Sequence, residues 1–137
     1  MANDFPIIGW QGKSAATLRL WSARSKAPLN MAAFDQGDYL SAYHPKIMAE
    51  AISQVLYPND STEQGKRLRL SQEYFFSAAS IKDIIRRYLS NHSDLRNLPD
   101  KVTIQLNDTH PAIAIPEFVR LLMDEHGIEF ADAFELA

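Results

Sequence analysis

Apolar side chains recur at helical spacing in two long stretches of the chain. From Tyr39 to Tyr57 they form two neighbouring rows, and from about Arg69 to Ser90 they form one stripe. Spacing by three and four residues is typical of amphipathic helices. The pattern therefore predicts two long helices, with Pro45 either in the first turn of the first helix or at a kink. The rows and the stripe are Ile47, Ala51 and Val55; Met48, Ile52 and Leu56; and Tyr74, Ala78, Ile81, Ile85 and Tyr88.

Three shorter segments have the composition of β-strands. Residues 6–10 and 17–22 flank the turn-forming run Gln11-Gly12-Lys13-Ser14, which predicts a hairpin. In residues 101–106 apolar side chains alternate with polar ones, so we expect a third strand with one face buried more deeply than the other. The fold class that follows is α/β: helix-rich, with a hairpin and one further strand, and too incomplete to close a sheet.

Turn formers and helix signals account for the other segments. Residues 24–38 and 57–66 are rich in such residues and are predicted to be loops. Pro116 suits the first turn of a further helix, and Gly127 suits the position just after its end. Residues 130–137 begin a last helix that carries no stop signal, so we expect the chain to be a piece of a longer protein.

Composition narrows the class of protein. The chain has 137 residues, of which 46% are hydrophobic and 23% charged, as in one ordinary globular domain with a real core. A net charge of -3 argues against a dedicated nucleic-acid surface. No cysteine is present, which excludes disulfides and thiolate metal sites. Neither a membrane-spanning run nor a signal peptide is visible, so we expect no membrane association and a cytoplasmic location.

The run Asn107-Asp108-Thr109-His110-Pro111 is the first candidate site. Asp108 and His110 are two residues apart at the end of the predicted strand, and an extended backbone would place both side chains on one face. A carboxylate and an imidazole can bind sugar hydroxyls, bind a metal, or act as acid and base, although two ligands do not complete a metal site. Locally, the favoured alternative is that Asp108 caps the next turn and His110 makes a structural hydrogen bond.

A polar loop is the second candidate. Asn59, Asp60 and Ser61 offer short donors and acceptors that suit a polyhydroxylated ligand. Locally, the favoured alternative is a turn in which their side chains bond to their own backbone. Two basic runs can bind an anion but are more typical of solvated helix faces, and the tyrosines can stack on sugars but are more typical of a core or a subunit interface. The basic runs are Lys66, Arg67 and Arg69, and Arg86 and Arg87.

Five blocks of sequence, in order and spacing, resemble one family, the α-glucan phosphorylases that act on glycogen and maltodextrin. The resemblance covers nearly the whole chain. It implies that residues 1–137 are an internal piece of the N-terminal domain of a bacterial-type, two-domain, glycosyltransferase-B-like enzyme. The blocks are Arg19-Leu20-Trp21-Ser22-Ala23, Val55-Leu56-Tyr57-Pro58-Asn59-Asp60, Leu68-Arg69-Leu70-Ser71-Gln72-Glu73-Tyr74-Phe75, Asp83-Ile84-Ile85-Arg86-Arg87 and Ile104-Gln105-Leu106-Asn107-Asp108-Thr109-His110-Pro111.

The resemblance also implies a reaction. Family members cleave terminal α-1,4-glucosidic bonds with inorganic phosphate and release glucose 1-phosphate, and they use pyridoxal phosphate bound to a lysine of the C-terminal domain. No segment of this chain matches that domain, so we expect no cofactor ligand, no metal, no complete catalytic set and no activity from the chain alone. The alternative is a stand-alone carbohydrate-binding or dimerisation module.

Residue by residue, the resemblance assigns substrate-binding roles. Asp108 and His110 match the segment that lines the glucan side of the catalytic cleft. Asp60 and Ser61 match the gate loop that closes the cleft, although Thr62 follows where regulated animal members carry an aromatic residue. The helix from Tyr39 to Tyr57 matches the helix that packs against a partner subunit, which implies a homodimer. Arg86 and Arg87 match the nucleotide-binding pair of AMP-activated members; because bacterial members commonly lack that control, both are interpreted as structural.

Overall fold

A computed structural model describes all 137 residues of the chain. They form two compact units, Met1–Arg69 and Leu70–Ala137. None of the helices is both long and apolar enough to span a bilayer.

The first unit opens with the predicted hairpin. Strand β1, Ala2–Ile8, pairs antiparallel with strand β2, Ala15–Trp21, so that Ala2 lies opposite Trp21 and Ile8 opposite Ala15. The two strands form the whole sheet. A 3-10 turn, Trp10–Gly12, joins them, and Gly12 has a positive φ of 70°, a conformation that glycine adopts without steric cost. The hairpin is confirmed, although β1 begins four residues earlier than predicted and β2 begins two residues earlier.

Two helices follow in this unit. Helix α1, Met31–Asp35, begins at Asn30, whose side chain accepts a hydrogen bond from the amide of Ala33 at 3.2 Å. It lies inside the predicted loop of residues 24–38, so that prediction was wrong at this point. Helix α2, Tyr39–Gln54, confirms the first long helix and contains Pro45. Asp38 caps it by accepting a hydrogen bond from the amide of Ser41 at 3.1 Å.

Helix α3, Glu63–Leu89, confirms the second long helix but starts earlier than predicted. Thr62 caps its first turn, because the Thr62 hydroxyl accepts a hydrogen bond from the Gly65 amide at 3.1 Å. The first turn is polar and lacks the apolar spacing that predicted the rest of the helix. The boundary between the two units falls within α3, at Arg69 and Leu70.

The second unit holds the largest apolar core of the chain. Helix α4, Ala114–His126, and helix α5, Phe130–Leu136, confirm the two predicted C-terminal helices. As predicted, Gly127 ends α4 in a left-handed conformation, and its amide bonds to the Met123 carbonyl at 3.1 Å. The core combines α3, a 3-10 segment, Leu95–Asp100, and both C-terminal helices. Its buried members are Ile81, Ile85, Tyr88, Leu95, Leu98, Ala114, Phe118, Val119, Leu121, Leu122 and Ala133.

The predicted third strand, residues 101–106, is wrong. The residues from Thr103 to Asn107 make no backbone hydrogen bond, and no other segment lies beside them as a ladder partner. Val102 and Leu106 pack against the core, whereas Ile104 between them is 40% exposed, so burial accounts for only part of the alternation. Because a strand also needs a hydrogen-bonded neighbour, one-sided burial alone does not make one. The helix-rich fold with a single hairpin is otherwise as expected.

Candidate functional site

The segment around Asp108 and His110 is a tight turn rather than an extended strand end. Asp108 has a positive φ of 71°, which a non-glycine residue adopts rarely and an aspartate most readily. His110–Ile113 forms one 3-10 turn, closed by a hydrogen bond from the Ala112 amide to the Thr109 carbonyl at 3.1 Å. The expectation of an extended backbone here was therefore wrong, and the reversal at Asp108 sets the direction of both side chains.

The turn nevertheless brings the two side chains together. His110 Nδ1 lies 4.0 Å from Asp108 Oδ1, and the side chains are 25% and 59% exposed. Asp108 Oδ1 also accepts hydrogen bonds from the Thr109 amide at 2.6 Å and the Thr109 hydroxyl at 3.3 Å. The local alternative holds in part, because Asp108 bonds to neighbouring backbone. However, Thr109 occupies the cap position of the turn, and no side chain caps it.

The loop that carries Asp60 and Ser61 folds back on the start of α3. Asn59 Oδ1 accepts a hydrogen bond from the Ser61 amide at 2.8 Å, which is the turn that the local alternative predicts. Asp60 Oδ2 lies 3.2 Å from Arg69 Nη1. A Cβ atom at Gly65 would lie 1.9 Å from the Asn59 carbonyl oxygen, so only glycine permits this approach. Asp60 and Ser61 belong to the first unit, and Asp108 and His110 belong to the second.

Two members of the basic runs form ion pairs within their own helix. Lys66 Nζ lies 2.9 Å from Glu63, and Arg86 Nη2 lies 2.7 Å from Asp83, both at a spacing of three residues. Pairs of this spacing are common on exposed helix surfaces and add little stability. Their geometry agrees with the interpretation of these runs as solvated helix faces.

A buried carboxylate at Glu117 is the feature that the sequence did not reveal. Its side chain is 4% exposed and accepts two hydrogen bonds from Arg120, from Nε and Nη2, both at 2.8 Å. The Tyr74 hydroxyl donates a third at 3.3 Å. The hydrogen bonds from Arg120, opposed by burial and assisted by Tyr74, lower the pKa of Glu117. Arg120 also pairs with Asp124 at 3.1 Å. The spacing of these three charged residues was the available signal, but it is equally typical of an exposed face.

Chemically, the Asp108–His110 turn offers an acceptor carboxylate beside a ring that can donate or accept a proton. Such a pair suits hydroxyl groups of a carbohydrate. No group of three or more His, Cys, Asp or Glu side chains is arranged to hold a metal ion. Every lysine of the chain is exposed. Because a lysine that holds an aldehyde cofactor as a Schiff base needs an enclosed pocket, these exposed lysines do not fit pyridoxal phosphate.

Comparison with known proteins matches the whole chain to one protein family. The family model described as carbohydrate phosphorylase matches residues 1–137. Glycogen phosphorylase of Haemophilus influenzae is 51% identical over 136 residues, and that of Pasteurella multocida is 48% identical over the same length. The brain form of human glycogen phosphorylase is 44% identical over 144 residues. Each match covers 99% of this chain but only 17% of the relative, so the chain spans about a sixth of the length of these proteins.

Proposed function

The chain belongs to the carbohydrate phosphorylase family, and we propose that it is a segment of the N-terminal domain of an α-glucan phosphorylase. The complete enzyme has two domains of the glycosyltransferase-B type. It transfers the terminal α-1,4-linked glucosyl unit of a glucan to inorganic phosphate and releases glucose 1-phosphate. The observation that carries the proposal is the 51% identity, across 99% of the chain, to a relative named glycogen phosphorylase.

Within this enzyme, Asp108 and His110 bind the glucan. The partly exposed imidazole and carboxylate lie 4.0 Å apart, a separation that lets them contact neighbouring hydroxyls of one sugar. The 3-10 turn that follows continues into α4 and fixes their direction. Their proposed role is to bind and position the glucan.

Asp60 and Ser61 belong to a loop that closes the glucan cleft. The ion pair with Arg69 holds the loop near α3 and is exposed, so it can be broken at low energetic cost. A phosphorylase needs such closure because water would otherwise compete with phosphate for the glucosyl group. Thr62 takes the position after Ser61, and its hydroxyl is engaged in capping α3.

The cofactor and the partners complete the proposal. Pyridoxal phosphate belongs to the C-terminal domain, outside this chain, in keeping with the exposure of every lysine here. The substrates are an α-1,4-glucan and inorganic phosphate. The enzyme is a cytoplasmic homodimer that associates through residues 39–57, a region whose outer apolar side chains are exposed.

The test measures glucose 1-phosphate release from maltoheptaose and phosphate by the longer polypeptide that carries this sequence, with pyridoxal phosphate bound. We expect His110→Ala to raise KM for maltoheptaose by about threefold to tenfold, the effect of losing one or two hydrogen bonds. His126→Ala, at the far end of α4, is the matched control and should leave KM unchanged. No product from the wild-type protein would refute the proposal. Tight binding of maltoheptaose by residues 1–137 alone would favour the stand-alone binding module.

A further inference from the structure

Besides the apolar core that they share, helices α3 and α4 are joined by two long-range polar contacts. The Tyr74 hydroxyl donates to Glu117 at 3.3 Å, and Lys82 Nζ donates to Glu125 at 2.7 Å. Both links join residues 43 positions apart in the chain. Since the second link lies about two helical turns further along both helices, α3 and α4 run parallel through this region.

The two links differ in their surroundings. Glu117 is almost completely buried, and Arg120 holds both of its oxygens in a bidentate contact. Lys82 and Glu125 are exposed to solvent. Arg120 lies on α4 itself and orients the Glu117 carboxylate, whereas the Tyr74 hydroxyl ties that carboxylate to α3. A hydrogen bond to a buried carboxylate restrains its partners more than an exposed ion pair does. The Tyr74–Glu117 hydrogen bond is therefore the stronger of these two polar restraints between α3 and α4.

The Tyr74–Glu117 hydrogen bond lies at the N-terminal end of α4, which directly follows the Asp108–His110 turn. Ile113 and Ala114 keep helical backbone angles, so the 3-10 turn passes into α4 without a break. Glu117 is in the first turn of α4, where a carboxylate is also favoured by the helix dipole. A change in the tilt of this first turn would be passed to His110 because no flexible segment lies between them.

We propose that Glu117 is a positioning residue for the glucan site. Oriented by Arg120 within α4 and bound by the Tyr74 hydroxyl on α3, it holds the first turn of α4 against α3 and thereby sets the direction in which Asp108 and His110 face the sugar. This inference rests on the proposed function, because it assigns Glu117 a role in the same site. Small displacements of binding groups reduce binding and rate strongly, so the loss of this restraint should be measurable.

The experiment compares three variants in the longer polypeptide. Glu117→Gln keeps the shape of the side chain but removes its charge, and Tyr74→Phe removes only the hydroxyl. Glu125→Gln weakens the Lys82–Glu125 contact between the same two helices and is the matched control. Calorimetry with maltoheptaose in the absence of phosphate gives Kd without turnover. Hydrogen–deuterium exchange with mass spectrometry follows a peptide spanning residues 107–114.

We expect Glu117→Gln to raise Kd and KM for maltoheptaose by about tenfold and Tyr74→Phe by about threefold. KM for phosphate should stay unchanged, and exchange of residues 107–114 should speed up in both. Glu125→Gln should change none of these. If Glu117→Gln does not fold, Tyr74→Phe decides. Folded variants with unchanged exchange and unchanged Kd would overturn the proposal. If the wild-type protein makes no glucose 1-phosphate, the proposed function fails, and the exchange result alone then decides the role of Glu117.

Discussion

At the scale of single residues, Gly65 shows how a missing side chain shapes the loop beside it. Alanine is the better helix former by about 1 kcal/mol, so helix propensity alone predicts that Gly65→Ala stabilises α3. Sterics predict the opposite. The new Cβ would lie 1.9 Å from the backbone oxygen of Asn59, which a side-chain rotation cannot relieve. We expect Gly65→Ala to lower the free energy of unfolding by about 1–3 kcal/mol.

The measurement is urea denaturation of the chain followed by circular dichroism. Gln64→Ala, on the exposed neighbouring position, is the control and should change stability by less than about 0.5 kcal/mol. A stabilised Gly65→Ala variant would show that the 58–62 loop does not rest on α3 in solution.

Residues whose roles are local could be predicted from the sequence, and residues whose roles depend on distant partners could not. The turn at Asn59 follows from its own side chain, and Gly127 was identified from its position after α4. Glu117 was missed because its hydrogen-bond partner on the facing helix, Tyr74, is 43 residues away in the chain. A charged residue in an amphipathic helix looks the same in sequence whether it faces water or a neighbouring helix.

At the scale of elements, the helices were predicted correctly because their hydrogen bonds are local, and the third strand was wrong because a strand needs a separate partner. A helix satisfies its backbone hydrogen bonds internally, so α2 and α3 could be predicted from periodicity, and α4 from Pro116 and Gly127 at its ends. In the hairpin, each strand pairs with a neighbour that is separated from it by one short turn of the chain. Residues 101–106 have the alternation of a strand, but no nearby segment can supply the ladder. Helix α1 was missed because five residues are too few to show a period.

Amide exchange tests the state of this segment in the 137-residue chain. The amides from Thr103 to Asn107 have no hydrogen-bond partner, so we expect them to exchange within a few-fold of the unprotected rate. Amides of residues 118–122, in the buried part of α4, provide the internal comparison and should exchange far more slowly. The measurement is exchange followed by NMR or mass spectrometry. Protection of residues 103–107 equal to that of α4 would mean that the segment has found a strand partner.

At the scale of the whole molecule, α2 exposes an apolar face, and the contact of that face with water is unfavourable in a monomer. Ala42 is buried on the inner side of α2, whereas the outer side presents Leu40, Ile47 and Met48, with Leu40 81% exposed. Contiguous apolar patches of this kind mark interaction surfaces. This agrees with the proposed homodimer through residues 39–57. We expect the chain to self-associate and the double variant Ile47→Glu with Met48→Lys, which keeps the net charge, to shift it towards monomer.

Sedimentation velocity over a range of micromolar concentrations measures that shift. The matched control is Lys46→Glu with Glu50→Lys, because it also places two charge changes on α2 and keeps the net charge, yet leaves every apolar side chain in place. If burial of the apolar face drives association, only the first variant dissociates, since hydrophobic stabilisation scales with the apolar area removed from water. Dissociation by both variants would instead assign the contact to charge pairing. Wild-type chain that stays monomeric throughout would remove α2 as the interface.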